Sequence, residues 1–108
     1  MIYSQEQLAK IVAPIARKYR IPSVYLFGSY ARGTATEESD IDLLIDTKGT
    51  GLKSLLQLSA VMLDIEAATG KQVDLITANS LEQKTDRPST LHFRDAVKRE
   101  RMKLYAVS

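Results

Sequence analysis

The residues of this chain that can do chemistry lie in two places: Gly28 to Asp46, reading GSYARGTATEESDIDLLID, and Asp74. In the first, Gly28-Ser29 follows the apolar run Val24-Tyr25-Leu26-Phe27, ten residues intervene, and Asp40-Ile41-Asp42 opens a second apolar run. Residues i and i+2 of a strand project from one face, so Asp40 and Asp42 point together while Ile41, Leu43 and Ile45 point the other way. Two adjacent carboxylates repel; their usual compensation is a divalent cation, and hard oxygen donors favour Mg²⁺. Asp46 shares their parity but sits roughly 13 Å beyond Asp42 along an extended chain, too far to share an ion. At the other end, a glycine after a strand lets the backbone turn sharply and approach a ligand closely. Ser29 then offers a hydroxyl and an amide where a short helix, about Tyr30 to Gly33, can begin, a natural seat for phosphate oxygens. A phosphate cradle facing a carboxylate pair is the chemistry these spacings describe.

Asp74 interrupts the apolar run Val73-Asp74-Leu75-Ile76, where an unpaired buried carboxylate is costly. It either pairs with a cation such as Arg32 or converges with Asp40 and Asp42 on one site. For Arg32 two roles stay open: contact with a triphosphate, or an ion pair that holds the loop.

The ordered set G-S-x10-D-x-D, with a third acid on a later strand, resembles the signature of the DNA polymerase β-like nucleotidyltransferase superfamily. More closely, GSYARG followed by SDIDLLID is similar to the minimal nucleotidyltransferases (MNT) of prokaryotes, over nearly the whole chain. The resemblance implies an α/β (α+β) domain, a small mixed β-sheet flanked by helices in the polymerase β palm-like fold. It implies Asp40, Asp42 and Asp74 as catalytic and metal-holding residues, with Asp74 as general base and two Mg²⁺ ions, and Gly28, Ser29 and Arg32 on the nucleotide phosphates. The reaction it implies moves a nucleoside monophosphate, AMP from ATP, to a hydroxyl. MNT proteins are often antitoxins encoded beside HEPN-domain ribonuclease toxins, and the resemblance makes a tyrosine of such a toxin the leading acceptor. Two other readings stand beside it: an antitoxin that neutralises its partner by binding alone, and a transferase acting on a small alcohol such as an aminoglycoside. Nothing in the residues themselves selects ATP or a protein acceptor.

The chain has 108 residues, 44% apolar and 26% charged, which fits one small domain spanning 1–108 with a single core. No apolar stretch approaches the ~20 residues of a membrane span. The absence of cysteine excludes disulfides and thiolate metal sites and fits a cytoplasmic protein. A net charge of +2 is too small to argue direct nucleic-acid binding. The motifs account for triphosphate and metal and leave little chain for base and acceptor, so a partner protein or second protomer is expected to complete the site.

The elements that position these groups follow from periodicity. Ser4-Gln5-Glu6-Gln7 is a capping box, and Leu8, Ile11, Val12, Ile15 and Tyr19 recur at helical spacing, with Pro14 expected to kink or loosen a turn. Arg17, Lys18 and Arg20 make a solvated basic end. Ile21-Pro22-Ser23 leads into the first strand, Thr34 to Ser39 is a polar loop, and the second strand runs Ile41 to Ile45, ending in the turn Thr47 to Gly51. A long helix is expected from Leu52, with Leu55, Leu56, Leu58, Val61, Met62, Leu63 and Ile65 in the core, Glu66 solvated and Gly70 as C-cap. The third strand is Val73 to Ile76. A turn over Thr77 to Ser80, capped by Asn79 or Ser80, and a polar connection from Gln83 to Ser89 follow. From Thr90 a final helix is expected to pack Leu91, Phe93, Val97, Met102, Leu104 and Tyr105 on the domain. Lys98, Arg99, Arg101 and Lys103 form its solvated face, and His92 is read as structural.

Overall fold

The computed structural model describes residues 2–52, 54–78 and 87–106. Its first helix, α1 (Gln5–Lys18), starts in the expected capping box: the Gln7 N–H donates to Ser4 Oγ at 3.1 Å, and the Ser4 N–H donates to Gln7 Oε1 at 2.8 Å. The helix continues through Pro14. It closes with Arg20 at φ 58°, the Ile21 N–H donating to Ala16 O and the Arg20 N–H to Arg17 O. That is the Schellman pattern, with arginine where glycine is usual.

β1 (Ser23–Phe27) runs into a five-residue helix, α2 (Gly28–Arg32), and β2 (Ile41–Asp46) returns antiparallel to β1. Helix α3 (Leu55–Thr69) crosses to β3 (Val73–Thr77), which pairs parallel to β2. Helix α4 (Pro88–Glu100) is followed at once by β4 (Met102–Ala106), antiparallel to β1. The four-stranded mixed sheet therefore has the order β3-β2-β1-β4, an α/β arrangement.

One face of the sheet carries the main core. Val24, Leu26, Ile41, Leu43, Ile45 and Val73 pack there against Leu8, Val12 and Ala16 of α1 and Val61 and Ile65 of α3. Each fully buried Leu, Ile or Val stabilises the fold by roughly 1.5–3 kcal/mol relative to exposure. The opposite face is covered only in part: Phe27 and Leu44 meet Val97 of α4, with Tyr25 and Ile76 alongside.

Four expectations are corrected. The tail is a helix and then a strand, so Met102, Leu104 and Tyr105 belong to β4; an edge strand there satisfies the free side of β1. On α3 the core stripe is Leu58, Val61, Met62, Ile65 and Thr69, whereas Leu55, Leu56 and Leu63 are 83%, 82% and 58% exposed. A helix presents one stripe at i, i+3, i+4 and i+7 spacing; Leu56 and Leu63 fall off it, and Leu55, though in line with Leu58 and Met62, is the first residue of the helix. The helix also begins later than Leu52, at an unanticipated capping box formed by Ser54 and Gln57. Glu66 is not simply solvated; its carboxylate accepts the Val73 N–H at 3.0 Å and ties α3 to the start of β3. His92 is exposed on α4. The readings placed on Asn79 and Ser80, and on 83–86 of the polar connection, lie outside the described residues.

Candidate active site

Strand parity decides which face holds the acids. Asp42 alternates with Leu43 and shares the side of Leu44, the side facing α4, and its neighbours in the sheet are Phe27 on one side and Asp74 on the other. The expected convergence of Asp42 and Asp74 is thus built by parallel register, and the Arg32–Asp74 pair is not what forms. The two carboxyls are directly paired across the β2–β3 register, close enough for each to act on the other. Asp40 lies one residue before the first residue of β2 and is exposed; it reaches the pair through its charge.

The consequence is electrostatic. Partial burial, then the charge of Asp74 and its hydrogen bond, then the charge of Asp40 push the Asp42 carboxyl up from 3.8 to about 6, and Arg32 opposes this weakly. A carboxyl whose ionisation is opposed by burial and by two neighbouring acids marks a place where added positive charge would be stabilising. Among the described residues no three His, Cys, Asp or Glu side chains are gathered to hold a metal ion: Asp42 and Asp74 are neighbours in the sheet, while Asp40, expected beside Asp42 on the strand, stays exposed before β2. An open pair of carboxylates with a third close by suits an ion such as Mg²⁺, which usually takes one or two carboxylates and completes its shell with water and phosphate oxygens.

Gly28 meets the acids from β1. It has φ 73°, and a Cβ built on it would collide with Asp42 Oδ2 and lie 3.1 Å from Asp42 Cγ. Backbone conformation and space each require glycine here, for the close approach that the sequence suggests. Ser29 follows in the first turn of α2, whose residues begin at Gly28 rather than Tyr30. Arg32, at the end of α2, takes the ion-pair alternative: its Nη1 donates to Glu100 Oε2 of α4 at 3.1 Å.

Gly28, Arg32 and Asp42 line one side of a cleft of about 260 Å³ between α2 and α4, and Phe93, Val97 and Glu100 the other; Ser29, Asp40 and Asp74 are not part of its lining. The sequence reading missed this second wall. Phe93, Ala96, Val97 and Glu100 recur at i, i+3, i+4 and i+7 on α4, a signal that marks a face but not what it faces. The basic residues beyond it are partly engaged, with the Arg101 guanidinium 4.6 Å from the Tyr25 ring centroid.

Comparisons place this geometry. Residues 7–103 match the family model described as "Nucleotidyltransferase domain". A Methanocaldococcus jannaschii protein described as a candidate protein adenylyltransferase is 40% identical over 75 residues, covering 69% of this chain and 78% of its own. A crystal structure of a toxin–antitoxin with AMP-PNP superposes with a TM-score of 0.70 at 20% identity, over 93% of this chain and 74% of that one. A complex of tri-AMPylated Shewanella oneidensis HEPN toxin with MNT antitoxin gives 0.64 at 17% identity, over 95% and 73%. At those identities the two structures speak for the fold, and the family match and the relative speak for descent. With its sheet, its Gly28 turn and its acids in this arrangement, the chain belongs to the nucleotidyltransferase domain family.

Proposed function

We propose that this nucleotidyltransferase is an antitoxin that transfers AMP from ATP to a hydroxyl of a HEPN-type toxin, with a tyrosine as acceptor. The observation that carries the catalytic part is the Asp42–Asp74 pair beneath Gly28, which a protein that only binds its partner has no need to hold. The adenylyl and toxin parts rest on the relative and on the two complexes of the same fold. In this reading Asp42 and Asp74 would hold Mg²⁺, with Asp40 joining them as the ion binds, and the ion would supply charge neutralisation of the phosphates and of the leaving group. Gly28 and Ser29 seat the phosphates where the backbone approaches the acids. Arg32, free to exchange Glu100 for a phosphate oxygen, orients the triphosphate.

Asp74 accepts the proton of the acceptor hydroxyl as its oxygen attacks the α-phosphorus. The new O–P bond forms as the bond from the α-phosphorus to the bridging oxygen breaks, and pyrophosphate carries that electron pair away. Holding both reactants in line on a fixed sheet provides much of the acceleration.

Label transfer from α-labelled ATP with Mg²⁺ into lysate of the native host tests this. Wild-type protein is expected to label one protein band, and Asp42→Asn to lose at least about 100-fold in rate, the scale of losing several kcal/mol of metal-borne charge stabilisation, while remaining folded. No protein label from folded wild type sinks the protein acceptor. Protection of cells by Asp42→Asn protein equal to wild type would favour neutralisation by binding alone.

A further inference from the structure

We propose that the cleft between α2 and α4 takes a planar aromatic ring against Phe93, supplied by the nucleotide base or by the acceptor side chain. The proposal rests on the nucleotidyltransferase reading of the same site and names what its apolar wall is for. At about 260 Å³ the cleft is smaller than the 300–1,000 Å³ of ordinary ligand pockets. At ~30 Å³ per liquid water, it holds the equivalent of eight or nine waters. That is room for one ring and its substituents, with the remainder of a nucleotide or a peptide left outside.

The lining has two characters. Phe27, Phe93, Ala96 and Val97 make an apolar wall, while Asp42 and the Arg32–Glu100 pair supply the polar groups. Phe93 is 45% exposed although Phe27, against which it packs edge to face with centroids 6.1 Å apart, is only 8% exposed. The packing holds one aromatic in place and leaves the other open beside the reacting carboxylate. Aromatic rings add stacking energy to simple burial when a second ring is offered to them. A ring in the cleft would also lie next to Asp42, which suits either a base bound close to its phosphates or a phenol presenting its hydroxyl.

The chain contains no tryptophan, so Phe93→Trp places a single emitter in the cleft. Its fluorescence is followed during titration with Mg²⁺-ATP, Mg²⁺-tripolyphosphate and N-acetyltyrosinamide, in the wild-type background and with Asp42→Asn. Saturable quenching by ATP but not tripolyphosphate assigns the ring to the base; saturable quenching by the tyrosine amide assigns it to the acceptor. Phe93→Ala is expected to raise KM for that substrate roughly tenfold with kcat little changed, the low end of ring-stacking energies, and Phe93→Tyr to restore it. Absence of transfer by folded wild-type protein alongside intact quenching would overturn the reaction and leave the ring site standing. Quenching by neither ring, with both KM values unchanged in Phe93→Ala, overturns the ring site and leaves the reaction standing.

Discussion

Asp42 is the residue on which the site turns, because its surroundings oppose its charge. Below about pH 4 its carboxyl is protonated in folded and unfolded chains alike. Between about 4 and 6 only the folded chain keeps the proton, so without metal the stability contributed by this group falls as pH rises through that window and then levels off. Thermal unfolding from pH 4 to 7 is expected to show wild-type Tm declining relative to Asp42→Asn across the window. Mg²⁺ added above pH 6 is then expected to raise the Tm of wild type more than that of the variant. A Tm difference independent of pH would contradict the account. Gly28 is the second sensitive residue. Alanine there must adopt a left-handed backbone and push against Asp42. Gly28→Ala is expected to cost about 1–3 kcal/mol of stability and most of the activity, read by denaturant titration and label transfer. The Gly28 turn and the place of Asp42 on β2 were legible in the sequence because spacing and strand parity act locally, whereas Asp40, expected beside Asp42 on the strand, lies before β2, and Asp74 meets Asp42 only through the parallel register of β2 and β3. Phe93 and Glu100 were not legible, because only the tertiary packing of α4 over the open sheet face brings them to Asp42.

At the scale of elements, α3 shows what periodicity can and cannot decide. Its sequence is apolar nearly all round, so the pattern announces a helix but not which side faces the sheet. Ile65 is 1% exposed and Leu56 82%. Ile65→Ala is accordingly expected to cost about 2–5 kcal/mol, and Leu56→Ala no more than about 0.5 kcal/mol, compared by chemical denaturation. Equal losses would mean that the leucine face is covered in solution. The capping boxes tell the opposite story: Ser4–Gln7 and Ser54–Gln57 follow one local pattern, so the second was as readable as the first. The strand β4 was harder, since Met102-Lys103-Leu104-Tyr105-Ala106 directly continues a helical pattern and its partner, β1, lies near the other end of the chain.

For the whole molecule, the sheet order makes β1 central only because β4 joins it. Tyr105→Pro places a proline ring opposite Val24 in the β1–β4 ladder and is expected to destabilise the domain by at least about 2 kcal/mol. Static light scattering should also rise with temperature earlier than in wild type, because an unpaired β1 offers an open edge. Retention of wild-type Tm and solubility would show that the β1–β4 ladder contributes little. The single-domain expectation for 1–108 is best tested with the same protein, as one cooperative transition seen by two probes.

The pairing of β1 with β4 also sets an order of events at the ribosome. The glycine turn and all three acids emerge between residues 28 and 74, so the groups that attract phosphate and metal are synthesised early. The cleft wall on α4 and the strand that anchors it emerge after them. A nascent or prematurely ended chain therefore carries the site's charge without its cleft, and an unprotected strand edge in place of a finished sheet.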